Sequence, residues 1–87
     1  MRDMKWHIVD GNRNPLCWDN NDWYSEQVIE FESEEEAKEF LKMVFLNYPG
    51  FRINGVNIVK SILYYDGGYI SGAEARRLMV EELNERI

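Results

Sequence analysis

Few residues in this chain have the types and spacing that covalent chemistry needs. Cys17 is its single thiol and His7 its single imidazole. A thiol nucleophile needs a base within hydrogen-bond reach and a third group to orient that base. The two could approach across a hairpin, but nothing nearby supplies an orienting partner or a glycine-rich oxyanion turn. The expectation is therefore that Cys17 is a small half-buried apolar residue and His7 a surface strand position. Asp10, Asn12 and Asn14 have the spacing with which calcium loops begin, yet Pro15 stands where such a loop requires Gly and Asn21 where it requires a bidentate Glu. Turn chemistry accounts for them instead. Gly67-Gly68 is followed by Tyr69 and lacks the Lys-Ser/Thr ending of a phosphate loop. Glu30 and Glu32 form a carboxylate pair, but glycosidase chemistry needs such a pair in a cleft long enough for a sugar. An 87-residue chain is short for that, and exposed carboxylates are usually solvated. No catalytic residue, metal or cofactor is expected, and the protein reads as a non-enzyme.

Charge is the more informative pattern. The formal net charge is −6. Between Asn14 and Ala37 there is no Lys or Arg, while Asp19, Asp22, Glu26, Glu30, Glu32, Glu34, Glu35 and Glu36 are all acidic. Phe40 to Tyr65 contains no acid and carries Lys42, Arg52 and Lys60. Direct binding of nucleic acid is disfavoured, because it needs Lys and Arg to displace counterions from phosphates. Trp23 and Tyr24 lie among the acids, and aromatics beside carboxylates can anchor an interface that the charges steer into contact. Glu26, Glu30 and Glu32 share strand parity at roughly 7 Å per two residues, close to the phosphate spacing of a nucleic-acid strand. The plainer alternative is a solvated strand edge and helix start whose charges prevent aggregation.

These residues must be positioned by local elements. Met4 to Asp10 alternates as a strand, with Trp6 and Ile8 on one face and Lys5, His7 and Val9 on the other. Asp10 to Pro15 is rich in turn formers, Leu16 to Trp18 is a second short strand, and Tyr24 to Glu32 is a third. Ser33-Glu34-Glu35-Glu36 is a capping box that opens a helix with an acidic first turn. Ala37, Phe40, Leu41, Val44, Phe45 and Tyr48 form its apolar stripe, and Pro49-Gly50 stops it. Asn54-Gly55 signals a hairpin between Phe51–Ile53 and a return strand reaching toward Tyr65, rich enough in β-branched residues to sit centrally in a sheet. Ser71-Gly72-Ala73-Glu74 caps a last helix that turns Ala75, Leu78, Met79, Leu83 and Ile87 to the core. Tyr64, Tyr65 and Tyr69, with Arg76-Arg77 beyond, form a second aromatic cluster, read chiefly as core edge.

The order β-β-β-α-β-β-α gives an α+β fold, a mostly antiparallel sheet with two helices packed on one face. One domain spanning residues 1–87 is expected, since a chain this short encloses one core, and 45% hydrophobic and 14% aromatic residues suffice to build it. A lone cysteine and the lack of a charged-then-apolar leader point to a reducing cytoplasm, and no apolar run approaches the roughly 20 residues that span a bilayer.

In size, charge and arrangement the chain resembles the small, acidic, phage-encoded inhibitors of bacterial defence, notably the anti-CRISPR proteins. The acid-only run Asp19 to Glu36 and the two capped helices carry the resemblance. What it implies is a single small domain that occupies the basic DNA- or guide-binding channel of an effector nuclease. The expected function is thus a protein-binding DNA mimic, with Asp19, Asp22, Trp23, Tyr24, Glu26, Glu30, Glu32, Glu34, Glu35 and Glu36 as the binding surface and a protein with a basic nucleic-acid-binding surface as partner. The alternative is a structural or adaptor domain that assembles through an apolar patch or sheet edge, homodimers included.

Overall fold

A computed structural model of the chain describes residues 3–18, 26–48 and 55–85. The elements are β1 (Lys5–Val9), β2 (Cys17–Trp18), β3 (Gln27–Glu30), α1 (Glu34–Asn47), β4 (Asn57–Ser61), β5 (Tyr69–Ser71) and α2 (Gly72–Glu85). The α+β class read from the sequence is what is found, as two small, mostly antiparallel sheets with two helices.

The turn after β1 is built by Asp10. Its carboxylate accepts the amides of Asn12 (2.8 Å) and Asn14 (2.9 Å), and its carbonyl accepts the amide of Arg13 (3.1 Å), whose φ is 65°. An aspartate that hydrogen-bonds the backbone ahead of it makes such a turn without help from the rest of the fold. The chain then returns so that the Leu16 amide donates to Ile8 (2.7 Å), while the Leu16 carbonyl accepts from Ile29 (3.2 Å). Leu16 is thereby wedged between β1 and β3. One turn of pleat away, Trp6 and Phe31 exchange both backbone bonds directly, at 2.9 and 2.8 Å. The strands β1 and β3 thus meet at Trp6 and Phe31 and part around Leu16, forming a fork. On its outer side β1 pairs antiparallel with β4, placing His7 opposite Val59, and β3 pairs antiparallel with β2 and parallel with β5.

Both helices start where serine supplies a cap. Ser33 Oγ accepts the Glu36 amide at 3.2 Å, and Ser71 Oγ accepts the Glu74 amide at 3.1 Å. Helix α1 packs on β1 and β4, α2 on β3 and β5, and the helices touch each other. Ile8, Ile29, Phe31 and Ile70 from the strands meet Ala37, Phe40 and Val44 of α1 and Ala75 and Met79 of α2 in one core. The Phe31 and Phe40 rings are tilted by 57° with centroids 5.4 Å apart, within the range aromatic pairs favour. Full burial of a side chain such as Phe31 contributes about 1.5–3 kcal/mol. Gly72 completes the contact: a Cβ there would overlap Phe31 Cδ1 and fall 2.7 Å from Glu36 Oε1.

Several expectations are corrected. The third strand is shorter than Tyr24 to Glu32, ending at Glu30 because Phe31 turns to bridge Trp6 and Ser33 already caps α1. The strand expected to run to Tyr65 stops at Ser61. Beyond it the Tyr69 hydroxyl accepts the Tyr65 amide (2.6 Å) and donates to the Leu63 carbonyl (2.8 Å), folding the chain back. That strand, β4, was expected to be central, but among the described residues it pairs with β1 alone. Gly55 has the positive φ, 70°, that the hairpin reading requires, but Phe51–Ile53 lie outside the described residues. The strand Tyr69–Ser71 was not anticipated. Phe45, expected in the core, is 46% exposed, and Ile87 lies outside the described residues.

Candidate protein-binding surface

The residues expected to bind a partner distribute unevenly. Asp19, Asp22, Trp23 and Tyr24 lie outside the described residues. Glu26 is exposed just before β3, where its carboxylate accepts the Tyr65 hydroxyl at 3.4 Å. Glu32 follows β3 with 72% of its side chain exposed and binds the Lys5 ammonium at 2.7 Å. That hydrogen bond holds the Lys5 ammonium above its ordinary pKa. In the first turn of α1, Glu34 pairs with Lys38 at 3.1 Å, Glu35 is exposed, and Glu36 is half-buried beside the cap. The turn between β3 and α1 therefore gathers Glu32, Glu34 and Glu35 at the surface, where the amides of the first helical turn add positive potential that favours carboxylates.

The strand itself does not present an open acidic row. Val28 sits between Glu26 and Glu30 on the same side of β3 and is wholly buried, and only 12% of the Glu30 side chain is exposed. The cause is position. Strand β3 lies between β2 and β5 and meets β1 at Phe31, so it is an interior strand and not the solvated edge that the charge pattern suggested. Glu30 points instead toward His7, with Oε2 3.8 Å from Nε2. His7, expected at the surface, is 1% exposed. Alternation placed it correctly on the face opposite Ile8, but that face is also covered at this point. Nothing in the local sequence signals this, because the cover comes from segments distant in the chain.

The groups with catalytic potential have other tasks. Cys17 is half-buried and its thiol lies 3.5 Å from the Pro15 carbonyl. Burial, with a smaller effect from the Glu26 charge, pushes the thiol up to about 11, so at neutral pH it is not the thiolate that nucleophilic attack requires. The Asp10 carboxylate is engaged by its own turn, which holds it below the ordinary carboxylate range, the Asn14 amide being the leading cause. Among the described residues no three His, Cys, Asp or Glu side chains converge as metal ligands would. Tyr69 clamps the turn before β5, Arg76 lies 3.7 Å from Glu39, and Arg77 pairs with Glu74 and with Glu81 (2.6 Å). The second aromatic and basic cluster is thus largely engaged within the fold, Tyr64 excepted at 74% exposure.

Further apolar groups are exposed: Met4 (52%) beside β1, and Ile62 (42%) and Tyr64 beyond β4. Continuing the β1–β4 register by one residue sets Met4 opposite Ile62. Sequence reasoning did not single out this pair, because each residue alone reads as part of a core strand. Among the described residues no helix is long and apolar enough to cross a membrane. No family model matches the chain, and no curated protein or solved structure is significantly similar to it.

Proposed function

We propose that this chain is a non-enzymatic acidic protein-binding module, an inhibitor of the anti-CRISPR type that acts in the cytoplasm as a DNA mimic. It occludes a basic nucleic-acid-binding surface, such as the channel of a CRISPR effector nuclease. The observation that carries the reading is the group of surface carboxylates where β3 passes into α1, exposed Glu32 and Glu35 with half-buried Glu34, in a chain of net charge −6. Charges so placed steer a basic partner into contact and set the salt dependence of the encounter. Among the described residues Lys5 pairs with Glu32 and Lys38 with Glu34. The test is capture of partners at low salt and again at about 0.5 M, where the Debye length falls to roughly 4 Å. The expected outcome is a nucleic-acid-binding protein that salt releases and that loses its nucleic acid while bound. Reversing Glu32, Glu34 and Glu35 to Lys should abolish that capture with the fold intact, and unchanged capture would refute the reading.

The exposed apolar groups Met4, Ile62 and Tyr64 favour a second reading, an adaptor that assembles through this patch. Its binding would resist salt, because burial of apolar surface is not screened, and Tyr64→Asp would weaken it while the triple reversal would not.

A further inference from the structure

The chain contains two Asp-Gly dipeptides, Asp10-Gly11 and Asp66-Gly67. Glycine after aspartate leaves the backbone nitrogen uncrowded, so that nitrogen can attack the side-chain carboxyl carbon and close a five-membered succinimide. Whether it does depends on how freely the carboxyl group can swing onto the amide. The two sites differ in this respect. The Asp10 carboxylate is pinned: Oδ1 accepts the amides of Asn12 and Asn14, and Oδ2 lies 3.4 Å from Asn14 Nδ2. Those bonds favour its ionised form, whereas the attack needs the protonated acid, whose hydroxyl leaves as water.

Asp66 and Gly67 are both exposed. Among the described residues no hydrogen bond or ion pair engages the Asp66 carboxylate or the Gly67 amide. The turn closes around them: the Gly68 amide donates to the Tyr65 carbonyl (3.3 Å), and the Gly68 carbonyl accepts the Val28 amide (3.1 Å). Position 67 is also restricted to glycine by its surroundings. A Cβ there would overlap the Glu26 carbonyl oxygen and lie 2.5 Å from Tyr65 Cε1. The fold therefore demands, at this turn, the residue that makes Asp66 reactive.

We propose that Asp66 is a site of spontaneous isomerisation in the folded protein and that Asp10 is not. The Gly67 nitrogen gives up its proton to solvent and bonds to Asp66 Cγ, and the Cγ–OH bond breaks to release water. Water then re-enters at one of the two ring carbonyls. Addition at Cγ restores aspartate. Addition at the main-chain carbonyl carbon breaks the original peptide bond and leaves isoaspartate, with the chain routed through Cγ and a free α-carboxylate. One water leaves and one enters, and nothing is oxidised or reduced. The backbone is now one carbon longer just ahead of the Gly68 carbonyl that receives Val28. Val28 and Tyr69 are where β3 and β5 begin to pair, so isoaspartate loosens that end of the sheet. The reaction does not depend on what the protein binds.

The test needs no variant. The native protein is held at neutral pH in water labelled with heavy oxygen and digested with trypsin in ordinary water. The peptides Trp6–Arg13 and Ser61–Arg76 are then fragmented, because each ring opening leaves one heavy oxygen at the residue concerned. Residue 66 should label at least about tenfold faster than residue 10, the scale of the hydrogen bonds to a charged group that Asp10 must give up. In urea, where neither turn persists, the two rates should converge. Equal native rates, no label at residue 66, or a difference that survives in urea would overturn the proposal. The isomerised protein, separated by ion exchange, should also exchange its Val28 amide several-fold faster than its parent, and unchanged exchange would refute the effect on the sheet.

Discussion

At the scale of single residues, Asp10 and Cys17 show how local bonding decides what a side chain can do. The Asp10 carboxylate accepts two backbone amides, and these favour its charged form. Its folded-state pKa therefore lies below the ordinary value. The stability it contributes is fully present above the ordinary carboxylate range and is lost as pH falls through the lowered value. Asp10→Asn should be less stable than the wild type at neutral pH, with the difference shrinking as pH falls below the ordinary carboxylate range. Thermal unfolding of both proteins across that range checks it, and a constant gap would show that the charge is irrelevant to the turn. Cys17 behaves oppositely. With its thiol pushed up to about 11, the native protein should react with iodoacetamide at pH 7.5 far more slowly than the denatured chain, and comparable rates would contradict the burial described. Asp10 could be read from the sequence because its partners lie within four residues. The burial of His7 could not, because it depends on β3 and β4 arriving from elsewhere.

Elements carry the next level. Both helix starts were legible, since Ser33 and Ser71 make the bonds to Glu36 and Glu74 that the capping pattern requires. Strand β5 was not, because its three residues run straight into the second cap and pair with a segment far away in sequence. Phe45 was misplaced for a related reason: a stripe of apolar residues marks a face, but only the neighbouring elements decide how wide that face is. The acidic run was legible as composition, whereas its division into a largely covered Glu30 and surface Glu32, Glu34 and Glu35 required knowing that β3 is interior. Gly72 gives the sharpest prediction at this scale. Gly→Ala inside a helix normally stabilises by up to about 1 kcal/mol, but here the added methyl meets the buried Phe31 ring. Gly72→Ala should instead destabilise by about 1–3 kcal/mol, the usual cost of overpacking. Chemical denaturation measures the difference, and a gain in stability would mean that the ring yields freely.

Considered whole, the molecule joins two differently built halves: an antiparallel ribbon of β1 and β4 under α1, and a three-stranded sheet of β2, β3 and β5 under α2. The fork at Leu16 and the core around Phe31 are where they become one body. The acid-free stretch Phe40 to Tyr65 carries three positive charges, so the rest of the chain carries nine net negative ones. The pairing of β3 with β5 has a consequence in time. Val28 lies beside Tyr69, 69 − 28 = 41 residues later. Closing so long a loop costs entropy before any contact rewards it, and such non-local pairings set the pace of folding. Helix α2 leans on that pairing for its floor, while the turn after β1 and the return of Leu16 to Ile8 need only neighbours in sequence. A chain emerging from its first residue can therefore form the β1 turn early, but it must wait for residues beyond 70 before the core has all its walls. Until then Ile29 and Phe31 stay open to wrong partners, and the speed with which the last segment docks governs how much of the newly made protein escapes aggregation.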